Sequence, residues 1–271
     1  MHFPKHWRLV RKGGVCAWGW SDVSADEAQA DGQRRVERIV TWLKNDLQGE
    51  LGAYGYPDRP MREEVLRTFN HSDGTVSGAV SRNSYGCLVL NTTRAMFVDV
   101  DERPPSLLAA LKRLFGAKSF EPTLLAKVQR WIVAHPDWGW RAYRTRAGIR
   151  LLATHRPFMP DDPLCQTAFH EFGADWLYRK LCVNQKCFRA RLTPKPWRCG
   201  LDRPPHSWPW RDAAAESAFA TWNQRYLNAA GPYATCKLLG QFGNAALHPE
   251  LAALIAFHDD ATRVPSGLPL A

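Results

Sequence analysis

The sequence predicts an α+β fold in which an antiparallel or mixed sheet is flanked by helices at both ends of the chain. Two β-rich stretches, GCLVLNTTRAMFVDVD and GWRAYRTRAGIRLLATH, each show the alternation and the central turn of a hairpin. Apolar residues recur at helical spacing in EAQADGQRRVERIVTWLKNDL, before the first of them. Because 271 residues with 45% hydrophobic content can bury a sizeable core, we expect one compact unit.

Three regions follow from this pattern. Residues 1–78 are predicted to be mainly helical, and PMREEVLRTF begins with a proline suited to a helix start. Residues 79–210 hold both β-rich stretches and are predicted to form the central core. Residues 211–271 are predicted to be helical, with helices over 212–228 and 234–258.

Within the core, the two hairpins alternate with helices. The first hairpin is predicted to turn near residues 91–94, and the second at residues 146–148. Helices are predicted for SLLAALKRLFG, PTLLAKVQRWIVAH, LCQTAFHEFG and ADWLYRKLCVNQ. They are followed by a short strand, CFRARL, and by a rigid loop rich in Pro and Trp, TPKPWRCGLDRPPHSWPW.

The charge of the chain favours an acidic partner. The sequence has 36 Lys and Arg against 26 Asp and Glu, a formal net charge of +10. Between Arg141 and Arg198 there are twelve Lys or Arg and four acids, so this segment alone carries +8. Such a balance is typical of proteins that bind a nucleic acid or a nucleotide, although a solvated basic surface would also produce it.

Several classes of protein do not fit the sequence. No run of about 18 apolar residues is present, and the basic start is followed by no apolar stretch, so we expect neither a membrane span nor a secretory signal, and a cytoplasmic protein. Seven cysteines, an odd number, favour reduced thiols. The spacing of Cys182, Cys187, Cys199 and His206 matches no zinc pattern, so we expect no zinc site.

The segment MFVDVDE, residues 96–102, is the first candidate site. Side chains alternate along a strand, so Asp99 and Asp101 share one face at its end. Two adjacent carboxylates repel each other unless a cation lies between them, and paired carboxylates can hold two divalent ions for phosphoryl chemistry. The pattern therefore indicates a metal site, although acids at a strand end also cap the helix that follows.

Cations on strands form the second candidate site. Arg150 lies on a strand otherwise made of core residues, and Arg189 and Arg191 alternate with apolar residues on the next short strand. Arginine forks on one face suit phosphate, and Lys195 follows them, although charges can also guard a sheet edge against aggregation. The candidates for nucleic-acid contacts are Arg144, Arg146, Arg191 and Arg198.

The loop that follows contains three exposed or anchoring aromatic candidates. Trp197, Trp208 and Trp210 could stack on bases, or they could pin the proline-rich loop to the body of the protein. The sequence leaves both interpretations open.

Taken in order, these motifs resemble the archaeo-eukaryotic primase superfamily, particularly its primase-polymerase branch. The matching motifs are FVDVD, GIRLL at residues 148–152, and ADWLYRKLCVNQKCFRARLTPK, within residues 79–198. The resemblance implies a primase-like core with an RRM-like palm. It also implies that Asp99, Asp101 and Asp175 bind two Mg²⁺ or Mn²⁺ ions. Arg150, Arg189 and Lys195 would contact the phosphates of a nucleoside triphosphate.

The expected function is therefore nucleotidyl transfer to a DNA or RNA 3′-hydroxyl, with a protein partner supplying any helicase or accessory activity. One departure bears on this expectation, because Arg150 stands where the family has a histidine. A guanidinium can clamp a triphosphate but cannot act as a neutral imidazole. The alternatives are a nucleic-acid-binding protein of the same fold without synthesis, a metal-dependent nuclease, and an adaptor domain with a basic surface.

Overall fold

The computed structural model describes residues 1–44, 60–71, 73–102 and 120–271. Their contacts divide the chain into two compact units, His2–Glu63 and Glu64–Ala271, with Met1 belonging to the second. The division falls after residue 63, whereas the sequence analysis placed its boundaries after residues 78 and 210. Both of those positions lie inside the larger unit.

The described part of the smaller unit contains a hairpin and a helix that packs on it. Strands β1 (His6–Lys12) and β2 (Val15–Ser21) pair antiparallel, and helix α1 (Ala25–Lys44) follows. The prediction of a mainly helical region is wrong here, because Gly13 and Gly14 adopt the positive φ values that a tight hairpin turn requires. Helix α1 packs closely on the hairpin, since a Cβ on Gly19 would lie 2.1 Å from the carbonyl oxygen of Ala28.

The larger unit contains two four-stranded antiparallel sheets. The first has the order β3-β4-β5-β9 and is formed by β3 (Glu64–Asn70), β4 (Val76–Arg82), β5 (Leu88–Thr92) and β9 (Phe188–Arg191). Part of the predicted helix PMREEVLRTF is therefore strand β3, because pairing with β4 outweighs the helix-start signal.

The second sheet has the order β10-β7-β8-β6. It is formed by β6 (Phe97–Asp101), β7 (Gly139–Thr145), β8 (Gly148–Ala153) and β10 (Cys236–Gly243). The second predicted hairpin is confirmed as β7 and β8. The first is wrong, since β5 and β6 follow each other in the chain but belong to different sheets. The helix predicted from residue 234 is also wrong in its first half, which is β10.

Five helices are described in the larger unit. They are α2 (Phe120–Ala134), α3 (Pro163–Phe172), α4 (Trp176–Gln185), α5 (Ala213–Ala230) and α6 (Pro249–Ala261). These confirm the predicted helices at the same places, while the one predicted for SLLAALKRLFG lies outside the described residues. The proline-rich loop contains a short 3-10 turn, Pro196–Arg198. Among the described residues, no helix is both long and apolar enough to cross a membrane.

The core of the larger unit joins its two sheets. A continuous set of buried side chains includes Leu90 and Phe188 of the first sheet and Phe97, Trp140 and Leu151 of the second. Strand β6 lies beside β9 where the sheets meet, and the hydroxyl of Tyr178 is 3.0 Å from the carbonyl oxygen of Phe97 and 3.2 Å from that of Arg189. The α+β class is confirmed, and Asp99 and Asp101 lie on β6, the strand of the second sheet that lies at this junction.

Candidate nucleic-acid interface

Arg150 and Asp99 form an ion pair at the junction of the sheets. They are directly opposite each other in the antiparallel pairing of β8 with β6. The Nε of Arg150 donates to Oδ1 of Asp99 at 2.8 Å, and its Nη2 donates to Oδ2 at 3.2 Å. The Arg150 side chain is 2% exposed and that of Asp99 is 36% exposed, so both carboxylate oxygens are engaged by a buried guanidinium.

The third nitrogen of Arg150 reaches three further elements, and on β10 it lies 3.6 Å from Sγ of Cys236. Its Nη1 donates to the carbonyl oxygen of Arg191 at 3.0 Å and lies 3.2 Å from Nε2 of His258, on α6. Arginine has no acceptor, so Nε2 of His258 accepts and the imidazole proton is placed on Nδ1. That nitrogen is 3.0 Å from Oδ1 of Asp259 and donates to it. The ion pair therefore links β6, β8, β9, β10 and α6.

The chain of contacts continues from Asp259 to strand β7. The hydroxyl of Tyr143 donates to Oδ1 of Asp259 at 2.8 Å, and Nη2 of Arg141 donates to Oδ2 at 2.6 Å. In this chain of contacts the positive charges of Arg141 and Arg150 are balanced by the negative charges of Asp99 and Asp259. We call this set the interior network; its members are Asp99, Arg141, Tyr143, Arg150, His258 and Asp259.

Burial and partners fix the protonation of the interior network. Burial opposes the charge of Arg150, but Asp99, Cys236 and Tyr178 together more than offset it, and the pKa of Arg150 is raised. Burial lowers the pKa of His258 to about 4, against the hydrogen bond to Asp259 that raises it. Burial and the nearby Asp259 raise the pKa of Tyr143. At neutral pH the imidazole is thus neutral and the phenol keeps its proton.

A second group of cations lies around Asp101, and among the described residues no acid is within salt-bridge distance of its members. Burial lowers the pKa of Lys195, and the charges of Arg191 and Arg198 lower it further. Burial, Arg191 and Arg146 lower the pKa of Arg198 in the same way. The negative charge of Asp101 raises the pKa of both Lys195 and Arg198. We call Arg146, Arg191, Lys195 and Arg198 the basic cluster; within the described part of the chain none of them forms a salt bridge.

The structure does not bring the three predicted metal ligands together. Asp99 is held by Arg150, and Asp101 is exposed at the end of β6. Asp175 caps α4, where its side chain accepts from the backbone nitrogens of Leu177 and Tyr178 at 2.9 and 3.0 Å. Over the described ranges, no three His, Cys, Asp or Glu side chains are grouped to hold a metal ion. This donor set does not fit a two-ion site.

The predicted cations divide into three groups. Arg150 belongs to the interior network. Arg144 donates to Glu102 at 2.8 Å, and Arg189 donates to Gln185 at 3.3 Å, so both are engaged within the protein. Of the residues predicted to contact phosphate or nucleic acid, the basic cluster contains Arg146, Arg191, Lys195 and Arg198.

Four of the six members of the interior network were not candidates from the sequence, Arg141 among them. Tyr143, His258 and Asp259 are the others, and His258 lies 108 residues from Arg150 in the chain. The signal that pointed to the site was Arg150 itself, a charge on a strand of core residues. It showed that a counterion had to exist, but it did not show which residue would supply it.

The tryptophans of the proline-rich loop have different roles. Trp210 packs against Phe219 with ring centroids 4.7 Å apart, which pins the end of the loop. Trp197 is 43% exposed and makes an edge contact with Tyr85 at 5.4 Å. The anchoring interpretation is therefore confirmed for Trp210, and base stacking by Trp197 stays a prediction.

Comparison with known proteins places the chain in no family. No family model, no curated protein and no solved structure matches it. The resemblance to primase-polymerases thus stays a prediction that rests on its motifs, and what the chain does has to follow from its own geometry.

Proposed function

We propose that this chain binds nucleic acid through its phosphodiester backbone and that the basic cluster is the binding surface. The observation that carries the proposal is the grouping of Arg146, Arg191, Lys195 and Arg198, none of which forms a salt bridge among the described residues. Burial, and then the charges of the other members, lower the pKa of Lys195 and Arg198. Asp101 lies outside the cluster, and its negative charge raises the pKa of Lys195 and Arg198. Like charges held together in this way favour the arrival of an anion.

A polyanion is the partner that suits this surface best. The cluster belongs to a segment with twelve Lys or Arg and four acids, so positive charge extends beyond the four side chains. Neutralising neighbouring phosphates releases counterions from a nucleic acid, and that release favours binding to any sequence. The proposal therefore predicts affinity that falls steeply with salt and depends little on base sequence, for DNA or RNA.

Nucleotidyl transfer receives less support from the geometry. A two-ion site built on the predicted acids would require Asp99 to leave Arg150 and Asp175 to leave the start of α4. Of the three predicted acids, Asp101 is the one that lies exposed beside the basic cluster. Synthesis and strand cleavage are therefore alternatives that the binding experiment has to separate from simple binding.

The test is fluorescence anisotropy with a short labelled strand of DNA or RNA at salt concentrations between about 50 and 200 mM. The double variant Lys195→Ala/Arg198→Ala should bind about tenfold more weakly, and its slope of log affinity against log salt should fall by about 2. The matched control is Arg225→Ala/Lys237→Ala, which removes the same charge from exposed positions on α5 and β10. We expect the control to keep the wild-type slope.

Two results would overturn the proposal. One is the absence of binding at low salt, and the other is an equal loss in both double variants, which would mean that net charge alone is responsible. A parallel reaction with primed template, nucleoside triphosphates and Mg²⁺ or Mn²⁺ tests the alternatives. Extension that disappears in Asp101→Asn would replace simple binding by nucleotidyl transfer, and degradation without added nucleotide would indicate a nuclease.

A further inference from the structure

We propose that Trp197, with Tyr85 and Arg203 beside it, is a stacking site for an unpaired base, and that the ligand of the basic cluster is therefore a single strand. This inference rests on the proposed function. It adds a residue-level site for the base to a surface that otherwise recognises only phosphate.

The aromatic ring and the cations lie within reach of one nucleotide. Trp197 is 43% exposed, and Nζ of Lys195, a member of the basic cluster, lies 5.4 Å from the centre of its ring. The guanidinium of Arg203 lies 4.9 Å from the Tyr85 ring and 5.6 Å from the Trp197 ring. Both cations lie over the indole, so a base that stacks on it takes the place of a cation, whose charge is then close enough to meet the phosphates of that base.

The loop that carries Trp197 is fixed on both sides. Pro194 and Pro196 are buried, and the carbonyl oxygen of Pro194 accepts from the hydroxyl of Tyr226 at 2.6 Å. The backbone nitrogens of Cys199 and Leu201 donate to the carbonyl oxygen of Pro196 at 2.9 and 3.1 Å. Because the loop is held before any ligand arrives, little conformational entropy is lost when a base stacks on the ring.

The exposure of Trp197 is not explained by packing. Trp210 and Trp222 pack in an aromatic series with Phe219 and Tyr226, and Trp222 is 7% exposed. Trp176 is more exposed than Trp197, at 65%, but it lies at the start of α4, and within the described residues no Lys or Arg lies over its ring. Trp197 is the exposed indole that lies next to the basic cluster, and Trp176 provides a matched control.

Stacking distinguishes a single strand from a duplex. In a duplex the faces of the bases are already stacked on each other, whereas in a single strand they are available to an aromatic side chain. Every base has such a face, so the preference concerns strandedness and not sequence. One stacked base should contribute about tenfold in affinity.

The experiment compares three labelled ligands of equal length and at equal salt: a single strand, the same strand with abasic sites, and its duplex. The wild type should prefer the intact strand over the abasic strand by about tenfold. Trp197→Leu should lose this preference while its salt slope stays unchanged, and Trp197→Phe should restore part of it. Trp176→Leu should behave as the wild type. A strand containing 2-aminopurine should show quenched fluorescence with wild type and not with Trp197→Leu.

The outcomes separate this inference from the proposed function. Equal affinity for intact and abasic strands, or a preference that survives in Trp197→Leu, would overturn the stacking site and leave backbone binding in place. No binding to any of the three ligands would overturn both.

Discussion

The interior network and the basic cluster are neighbouring sets of charged side chains that use arginine in opposite ways. Arg150 is 2% exposed and donates to a carboxylate, a carbonyl oxygen and an imidazole nitrogen. Arg191 and Arg198 remain without acid partners in the described part of the chain, beside other cations. Charge is balanced in the first region and unbalanced in the second. This difference is the basis for assigning the first to stability and for proposing the second as an anion-binding surface.

The two regions meet at Arg191. Its carbonyl oxygen accepts from Arg150 in the interior network, whereas its side chain is part of the basic cluster. An arginine at a strand position thus has no fixed role, and its neighbours decide whether its charge is structural or available. Single substitutions of Asp99 and of Asp101 test this distinction between structural and available charge.

The largest effect is expected from Asp99→Asn. The change leaves the buried guanidinium of Arg150 without its counterion, and we expect the free energy of unfolding to fall by about 3 kcal/mol. Asp101→Asn, on the same face of β6, should change it by less than about 0.5 kcal/mol. Urea denaturation followed by circular dichroism measures both.

If Asp99 and Asp101 were instead paired ligands of a metal ion, their substitution would raise the free energy of unfolding of the metal-free protein. Removing either of two repelling carboxylates would then stabilise the fold, and both variants would show the gain. Equal effects of Asp99→Asn and Asp101→Asn would therefore contradict the separation of the two regions.

The second prediction concerns pH. Burial lowers the pKa of His258 to about 4 in the folded chain, below its ordinary value of 6.5. Between these values the unfolded chain takes up a proton that the folded chain resists. The free energy of unfolding is therefore at its full value above pH 6.5 and falls as the pH drops toward 4. We expect a loss of roughly 2–3 kcal/mol across that interval, measured by urea denaturation at successive pH values.

His258→Gln supplies the control for this pH dependence. The amide cannot titrate in this range but retains an acceptor for Arg150, so the variant should show a flatter profile. His155, whose pKa burial also lowers, lies outside the interior network, and His155→Gln should flatten the profile less. A profile that is the same in His258→Gln and in the wild type would locate the titration elsewhere.

The smallest effect is expected in the basic cluster. Asp101 is the acid that acts on both Lys195 and Arg198, so Asp101→Asn should strengthen nucleic-acid binding by about twofold to fivefold. Anisotropy at low salt measures the change, and Glu216→Gln on α5 is a control for the loss of a distant negative charge. Weaker binding by Asp101→Asn, seen only with Mg²⁺ or Mn²⁺ present, would instead favour a metal at this carboxylate.

The sequence identified the elements that depend on local patterns. The hairpin of β7 and β8, the helices of the larger unit and the strand of Arg189 and Arg191 were predicted, because periodicity and turn residues determine them. Arg150 was recognised as a charge among core residues. Four of the predicted cations were also placed together by the fold.

The failures concern contacts between distant parts of the chain. The strands β5 and β6 resembled a hairpin, yet β6 pairs with β8 and β5 with β4 and β9. The segment that forms β10 was predicted as a helix, although its pairing with β7 makes it a strand. The partner of Arg150 could not be chosen from among the acids, because only the register of β6 against β8 places Asp99 opposite it.

Strand β9 also has a consequence for the speed of binding. Its backbone is held by Arg150 and by its pairing with β5, so the strand that carries Arg191 of the basic cluster is in place before a ligand docks. Association should then be limited by diffusion and accelerated by long-range attraction, and the rate constant for association should fall as salt screens that attraction. The lifetime of the complex, in contrast, should depend on the short-range contacts formed once the strand has arrived.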